Sequence, residues 1–223
     1  MPIQAVAFDI DGTLYPNATM YLKSIPFALT HLRLMFAYAA VRSEIRHERP
    51  VDDLQRMEEE MLAKRLGVSP ERARERINEE IHGTWESVLD RVPVYPHVRE
   101  CVTGLREAGY PVAVTSDFPV ERKLERLGLD DLFECRLWTE ESGYLKPHPE
   151  PFVQLAACMG HSPEEILYVG NSYEYDVVGA KNVGMHAAHL SRKPHPDTVA
   201  DVTFSDYRDL CRWVRDNGAR GSD

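Results

Sequence analysis

The sequence predicts an α/β protein built on a parallel sheet, with a helical subdomain inserted after the first strand. Three observations carry that expectation. Short apolar, β-compatible segments alternate with helical ones, which favours a parallel sheet with right-handed crossovers. The first of these segments runs into a pair of acids, as a buried strand does when it delivers polar groups at its carboxyl end. Between residues 16 and 92 the strand signals vanish and apolar residues recur at helical spacing.

In chain order, the first strand is expected over Ile3 to Phe8. The inserted stretch then shows apolar sets at Leu29, Leu32 and Phe36, at Leu54, Met57 and Met61, and at Ala73, Ile77, Ile81 and Trp85. The last set follows Ser69-Pro70, a cap and a first-turn proline, so three or four helices are expected. Met57, Met61 and Trp85 read as the core of this subdomain. A helix through Val98, Cys101, Val102 and Leu105 stops at Gly109 and leads into a strand at Pro111 to Thr115. Further strands are expected at Cys135 to Trp138, Ile166 to Val169, His186 to Leu190 and, more weakly, Val202 to Phe204. Helices are expected over Pro119 to Leu127, Pro151 to Met159 and Asp176 to Val183, each with proline or acid at its start and glycine at its stop. The division that follows is a core of residues 1–15 and 93–223, and a helical subdomain of residues 16–92.

At 223 residues and 43% hydrophobic content, one sizeable domain with a modest insertion is the natural size class. No run approaches the roughly 18 apolar residues of a membrane span, and Met1-Pro2-Ile3-Gln4 lacks a secretory n-region, so a cytoplasmic location without membrane contact is expected. Cys101, Cys135, Cys158 and Cys211 are far apart and form no C-x-x-C pair, which reads as reduced core residues rather than zinc ligands or a disulfide framework. A formal charge of -10 argues against nucleic acid as a partner, so any anionic ligand must be met by local positive charge. The Arg42, Arg46 and Arg49 cluster, with acids interspersed nearby, reads as a solvated helix face.

Chemistry gathers at the strand ends. Asp9 and Asp11 alternate to the same side, and Gly12 lets the backbone turn beside them. One carboxylate can attack phosphorus to form an acyl phosphate while the second protonates the leaving oxygen and later activates water. Two carboxylates meeting a phosphate dianion repel, so this chemistry calls for a hard cation held by oxygens, most naturally Mg²⁺. Gly170-Asn171-Ser172-Tyr173-Glu174-Tyr175-Asp176 offers an amide oxygen and a carboxylate after another strand, with Asn171 as a direct ligand and Asp176 acting directly or through water. Thr115 and Ser116 end a further strand with a hydroxyl and a backbone N–H able to hold the transferring phosphoryl group. Lys146, before Pro147, can neutralise its charge. His148, between two prolines, reads as a surface-loop residue.

With these four clusters in order, Asp9-Ile10-Asp11-Gly12-Thr13-Leu14, Thr115-Ser116, Lys146-Pro147 and Val169-Gly170-Asn171-Ser172 through Asp176, the chain resembles the haloacid dehalogenase superfamily of phosphohydrolases from Ile3 to about Gly184. The resemblance implies a Rossmann-like parallel-sheet core in three α/β/α layers, with residues 16–92 as a helical cap that closes over substrate. It also implies a phosphatase acting on a small phosphorylated metabolite, an aspartyl-phosphate at Asp9, acid/base action by Asp11, phosphate binding by Ser116 and a bridging Lys146. Mg²⁺ would be held by Asp9, the backbone carbonyl of Asp11 and Asn171. Asn171 stands where the superfamily often has aspartate, and Asp117 where a neutral residue commonly follows the hydroxyl. A phosphomutase, a metal-free dehalogenase and a catalytically silent binding module are the other readings. Asp11 speaks against the dehalogenase, because displacement at carbon needs no second acid there.

Overall fold

The structure, a computed structural model, describes residues 2–218. Its centre is a six-stranded, all-parallel sheet in the order β3-β2-β1-β4-β5-β6. The strands are β1 (Ala5–Asp9), β2 (Val112–Ser116), β3 (Cys135–Trp138), β4 (Ile166–Gly170), β5 (His186–Leu190) and β6 (Val202–Phe204). Each falls within a residue or two of the segment expected to form it. β1 lies between β2 and β4, so the chain reverses its direction of travel across the sheet beside the Asp9 end, the place where open α/β sheets leave a crevice.

Period-two alternation sorts the strand residues onto two faces. Val6, Phe8, Val112, Val114, Leu167 and Val169 point to a layer formed by α6 (Val98–Glu107), α7 (Glu121–Leu127) and α10 (Tyr207–Asn217). Ala5, Ala7, Ala113 and Ala187 point the other way, and their small side chains leave room for Phe152 and Tyr168 under α8 (Pro149–Met159) and α9 (Gly179–Asn182). These are the three expected layers. Helix α10 had no counterpart in the sequence reading, although Asp206 caps it and Tyr207, Leu210, Cys211 and Val214 line one side of it.

Between β1 and β2 the chain is helical: α1 (Asn17–Thr30), α2 (Leu32–Ile45), α3 (Leu54–Leu66), α4 (Pro70–Glu75), a π-helical turn over Arg76–His82, and α5 (Gly83–Leu89). A separate apolar cluster, including Leu34, Tyr38, Val41, Leu62, Ile77 and Ile81, holds these helices together, with Met57, Met61 and Trp85 packed against it. Leu29, Leu32 and Phe36 do not join it. They looked like one helical stripe, but the chain bends by 120° between α1 and α2, and all three face outward. Among the described residues no single helix is long and apolar enough to cross a membrane.

The cysteines depart from expectation. Cys101 of α6 is bonded to Cys211 of α10, and Cys135 of β3 to Cys158 of α8, with Cα–Cα distances of 5.8 and 6.1 Å. Separations of 110 and 23 residues hid both pairs, which meet because the sheet stacks each pair of elements side by side. Closing a loop of about 100 residues removes roughly 4.7 kcal/mol of unfolded-chain entropy in the simple chain model, and measured losses run from about 2 to 5 kcal/mol. Urea unfolding of Cys211→Ser is expected to show a loss in that range, and that of the wild type in dithiothreitol, which opens both bonds, a larger one. Four thiols titrating in the unfolded, unreduced protein would contradict the pairing.

Candidate active site

The carboxyl ends of β1, β2 and β4 meet at one edge. Asp9 is 4% exposed, and its Oδ1 accepts a hydrogen bond from Lys146 Nζ at 2.6 Å. The same ammonium donates to Asp176 Oδ1 at 2.7 Å and to the Tyr168 hydroxyl at 3.2 Å. Burial pushes the Asp9 carboxyl up to about 7 against the opposing pull of Lys146, with Asp176 and Asp11 adding to the rise. Its other oxygen accepts from Thr13 Oγ1 at 2.8 Å, and the Thr13 carbonyl is itself fixed by the Tyr207 hydroxyl at 2.5 Å.

Asp11 is held by a different set. Its Oδ2 accepts from Lys123 Nζ and Ser116 Oγ, both at 2.5 Å, and its Oδ1 accepts from the Tyr15 hydroxyl. Burial would raise this carboxyl, yet Lys123 and the Ser116 and Tyr15 hydroxyls hold it below the usual aspartate value. Sequence reasoning missed Lys123. A signal was available: on α7 it interrupts the apolar series Val120, Leu124 and Leu127, the spacing of a buried face.

Two glycines are required by close approach. At Gly12, with φ +87°, a Cβ would lie 2.6 Å from the Asn171 amide nitrogen, and at Gly170 one would lie 2.3 Å from the Asp176 Cβ. The helix after β4 begins at Tyr173 as a π-turn over Tyr173–Val178, earlier than predicted, with Ser172 capping it. That turn folds Asp176 back so that its Oδ2 accepts from the Ser172 N–H at 2.9 Å.

Asp9, Asp11, Lys146, Asn171 and Asp176 thus line one cavity of about 380 Å³, together with Arg46, Asp117 and Tyr21. Ser116 touches Asp11 without lining it. Thr115 is 1% exposed, with no hydrogen-bond partner for its hydroxyl. A separate hollow of about 410 Å³ lies beside Glu58, Glu59 and Arg74 and reaches Trp138 at the end of β3, without touching Asp9 or Asp11. Among the described residues no three histidine, cysteine or acid side chains form a ready-made metal cage. The oxygens at the cavity nevertheless suit Mg²⁺. Thr13 Oγ1 lies 2.8 Å from Asp9 Oδ2 and 3.2 Å from Asn171 Oδ1, so a carboxylate and an amide oxygen face the same spot. An all-oxygen set completed by water is what this ion accepts.

Arg42 and Arg46, expected as solvated, are largely buried. Arg42 donates to Glu58, to Glu140 and to the Asp117 carbonyl. Arg46 lies 2.7 Å from Asp117 Oδ2, donates to the Lys146 carbonyl and stacks over the Tyr175 ring at 4.4 Å. Only Arg49, paired with Glu150 and bonded to His148, keeps the exposed character expected of the cluster. The Asp117 carboxyl also accepts from Thr139 at 2.8 Å. Burial opposes its ionisation, but Arg46, Lys146 and Arg42 hold it well below the usual value.

A family model described as haloacid dehalogenase-like hydrolase matches residues 3–184. The chain is 30% identical to a glyceraldehyde 3-phosphate phosphatase of Methanopyrus kandleri, covering 96% of this chain and 98% of that one. It is 28% identical to a phosphoglycolate phosphatase of Haemophilus influenzae, covering 92% and 95%. Among solved structures, a HAD phosphatase from Thermococcus onnurineus aligns at 26% identity with a TM-score of 0.62, covering 97% of this chain and 99% of that one. A 2-haloacid dehalogenase from Pseudomonas syringae shares the fold, with a TM-score of 0.69 at 22% identity over 95% and 99%.

Removing one partner of a buried ion pair typically costs about 3–5 kcal/mol. Asp117→Asn, which strips Arg46 of its counter-charge, is expected to lose about 3 kcal/mol in urea unfolding at pH 7. Because the folded carboxyl titrates lower than the unfolded one, its contribution is complete above about pH 4 and is lost as pH falls below that. The gap between variant and wild type should therefore narrow only in that acid range.

Proposed function

Because the chain belongs to the haloacid dehalogenase-like hydrolases, we propose that it is a magnesium-dependent phosphatase of small phosphorylated metabolites, working through an aspartyl-phosphate at Asp9. The observation that carries this reading is the pair of carboxylates at the end of β1, each with its own buried lysine: Asp9 with Lys146, Asp11 with Lys123. Relatives aligned over nearly their whole length are named for phosphoglycolate and glyceraldehyde 3-phosphate, which supports a small soluble phosphate ester as substrate.

An Asp9 oxygen attacks phosphorus and the bond to the leaving oxygen breaks, while Lys146 balances the negative charge gathering around the transferred group. Asp11, a carboxylate at rest, relays to the leaving oxygen the proton that a monoanionic phosphate ester brings, then takes one from the water that opens the acyl phosphate and releases it with the phosphate, returning both carboxyl groups to their starting state. We assign Ser116, with Thr115 beside it on β2, to the phosphoryl oxygens. Bound Mg²⁺ would screen the phosphate dianion from the acids, and Asp9, the Asp11 carbonyl, Asn171 and Asp176 are the residues assigned to hold it. Residues 16–92 act in this reading as the cap that excludes water. We also keep a cytoplasmic location, where such esters are made.

Turnover of p-nitrophenyl phosphate is expected to require Mg²⁺ and to fall by about three orders of magnitude or more in Asp9→Asn, the scale of losing a nucleophile. Metal-independent turnover of 2-haloacids with none of phosphate esters would overturn the proposal. Asn171→Asp adds a formal charge to the cation's surroundings and is expected to tighten Mg²⁺ about tenfold, roughly 1.4 kcal/mol, in a metal titration of activity. An unchanged requirement would remove Asn171 from the ligands.

A further inference from the structure

Six of the eight large apolar side chains exposed among the described residues crowd into sixteen positions of α1 and α2: Tyr21, Leu22, Ile25, Leu29, Leu32 and Phe36, between 46 and 74% exposed. On α1 the first four span about one side of the helix, and Leu32 and Phe36 stand one turn apart on α2 just past the bend. Side chains of this size offer roughly 150–250 Å² when aromatic, so the six expose on the order of 600 Å² together. That reaches the top of the range of about 300–600 Å² for the largest patch on a monomer and approaches the ~800 Å² per partner of a stable interface.

Charge says what can cover it. No acid occurs between Asp11 and Glu44 in a chain of formal charge -10. The cations of that stretch up to Val41 are Lys23 and Arg33, and Arg33 is engaged with the carbonyls of Arg65 and Leu66 at the end of α3. His31 faces Glu80 at 3.8 Å. An anionic lipid surface is gripped through clustered Lys and Arg, and this patch offers Lys23 beside an Arg33 that is already engaged. A second copy needs no cations, because two acidic molecules related by a two-fold axis meet there through the stretch that carries no acid.

We propose that the α1–α2 face is the two-fold interface of a homodimer. Tyr21 belongs both to this face and to the lining of the cavity at Asp9, so pairing seats the partner beside the cavity mouth. The assignment does not depend on the reaction catalysed.

Sedimentation velocity of the full chain at micromolar concentration tests it. The wild type is expected to sediment as a dimer and Leu29→Glu/Phe36→Glu as a monomer with an unchanged far-ultraviolet dichroism spectrum, its dissociation constant raised at least about a hundredfold. Val153→Glu, at an exposed apolar position on α8, should stay dimeric. A monomeric wild type overturns the proposal, as does a dimer that survives the double substitution. A wild type that is monomeric and floats with phosphatidylcholine/phosphatidylglycerol vesicles overturns it in favour of a lipid surface.

Discussion

An ammonium group shut away from water must be surrounded by opposite charge, and Lys146, 3% exposed between Asp9 and Asp176, is the case on which this molecule is organised. Two carboxyl groups buried side by side at such depth would be costly without it, and the ammonium would be equally costly alone. Three segments far apart in the chain are thereby held at one edge of the sheet: the end of β1, the loop before α8 and the turn after β4. Gly12 and Gly170 exist to let them come that close.

A second charged layer joins the helices to this edge. Arg46 binds the Asp117 carboxylate and the carbonyl of Lys146 itself, while Arg42 spans Glu58 of α3, Glu140 and the Asp117 carbonyl. Asp117, the residue that departs from the superfamily's usual neutral one, is therefore the point at which the α2 helix grips the sheet. A neutral side chain there would leave Arg46 without its charge partner.

Much of this was legible in sequence because it is local. Strand positions follow from apolar runs bounded by glycine, and the acids at 9 and 11 declare themselves by ending such a run. Fold and family followed from motifs in order. What stayed hidden depends on contacts between distant segments. Arg42 finds its acids 16 and 98 residues away, so its burial left no trace in nearby sequence. The disulfides are of the same kind. Leu29, Leu32 and Phe36 failed for another reason: a bend at His31 broke one apparent stripe into two outward-facing ones. Lys123 and α10, by contrast, lay on patterns that could be read, a cation within an apolar series and a capped stripe of four.

Both disulfides lie among the strands, α6, α8 and α10, and no cysteine occurs in α1 to α5. The molecule therefore has two grades of construction. On one side of the sheet α6 is bonded to α10, and on the other β3 is bonded to α8, whereas α1 to α5 rely on apolar packing and ion pairs. Acid and reductant therefore act on different parts of the molecule: acid discharges the carboxylates that pair with Arg42 and Arg46, whereas a reductant opens the bonds that join α6 to α10 and β3 to α8.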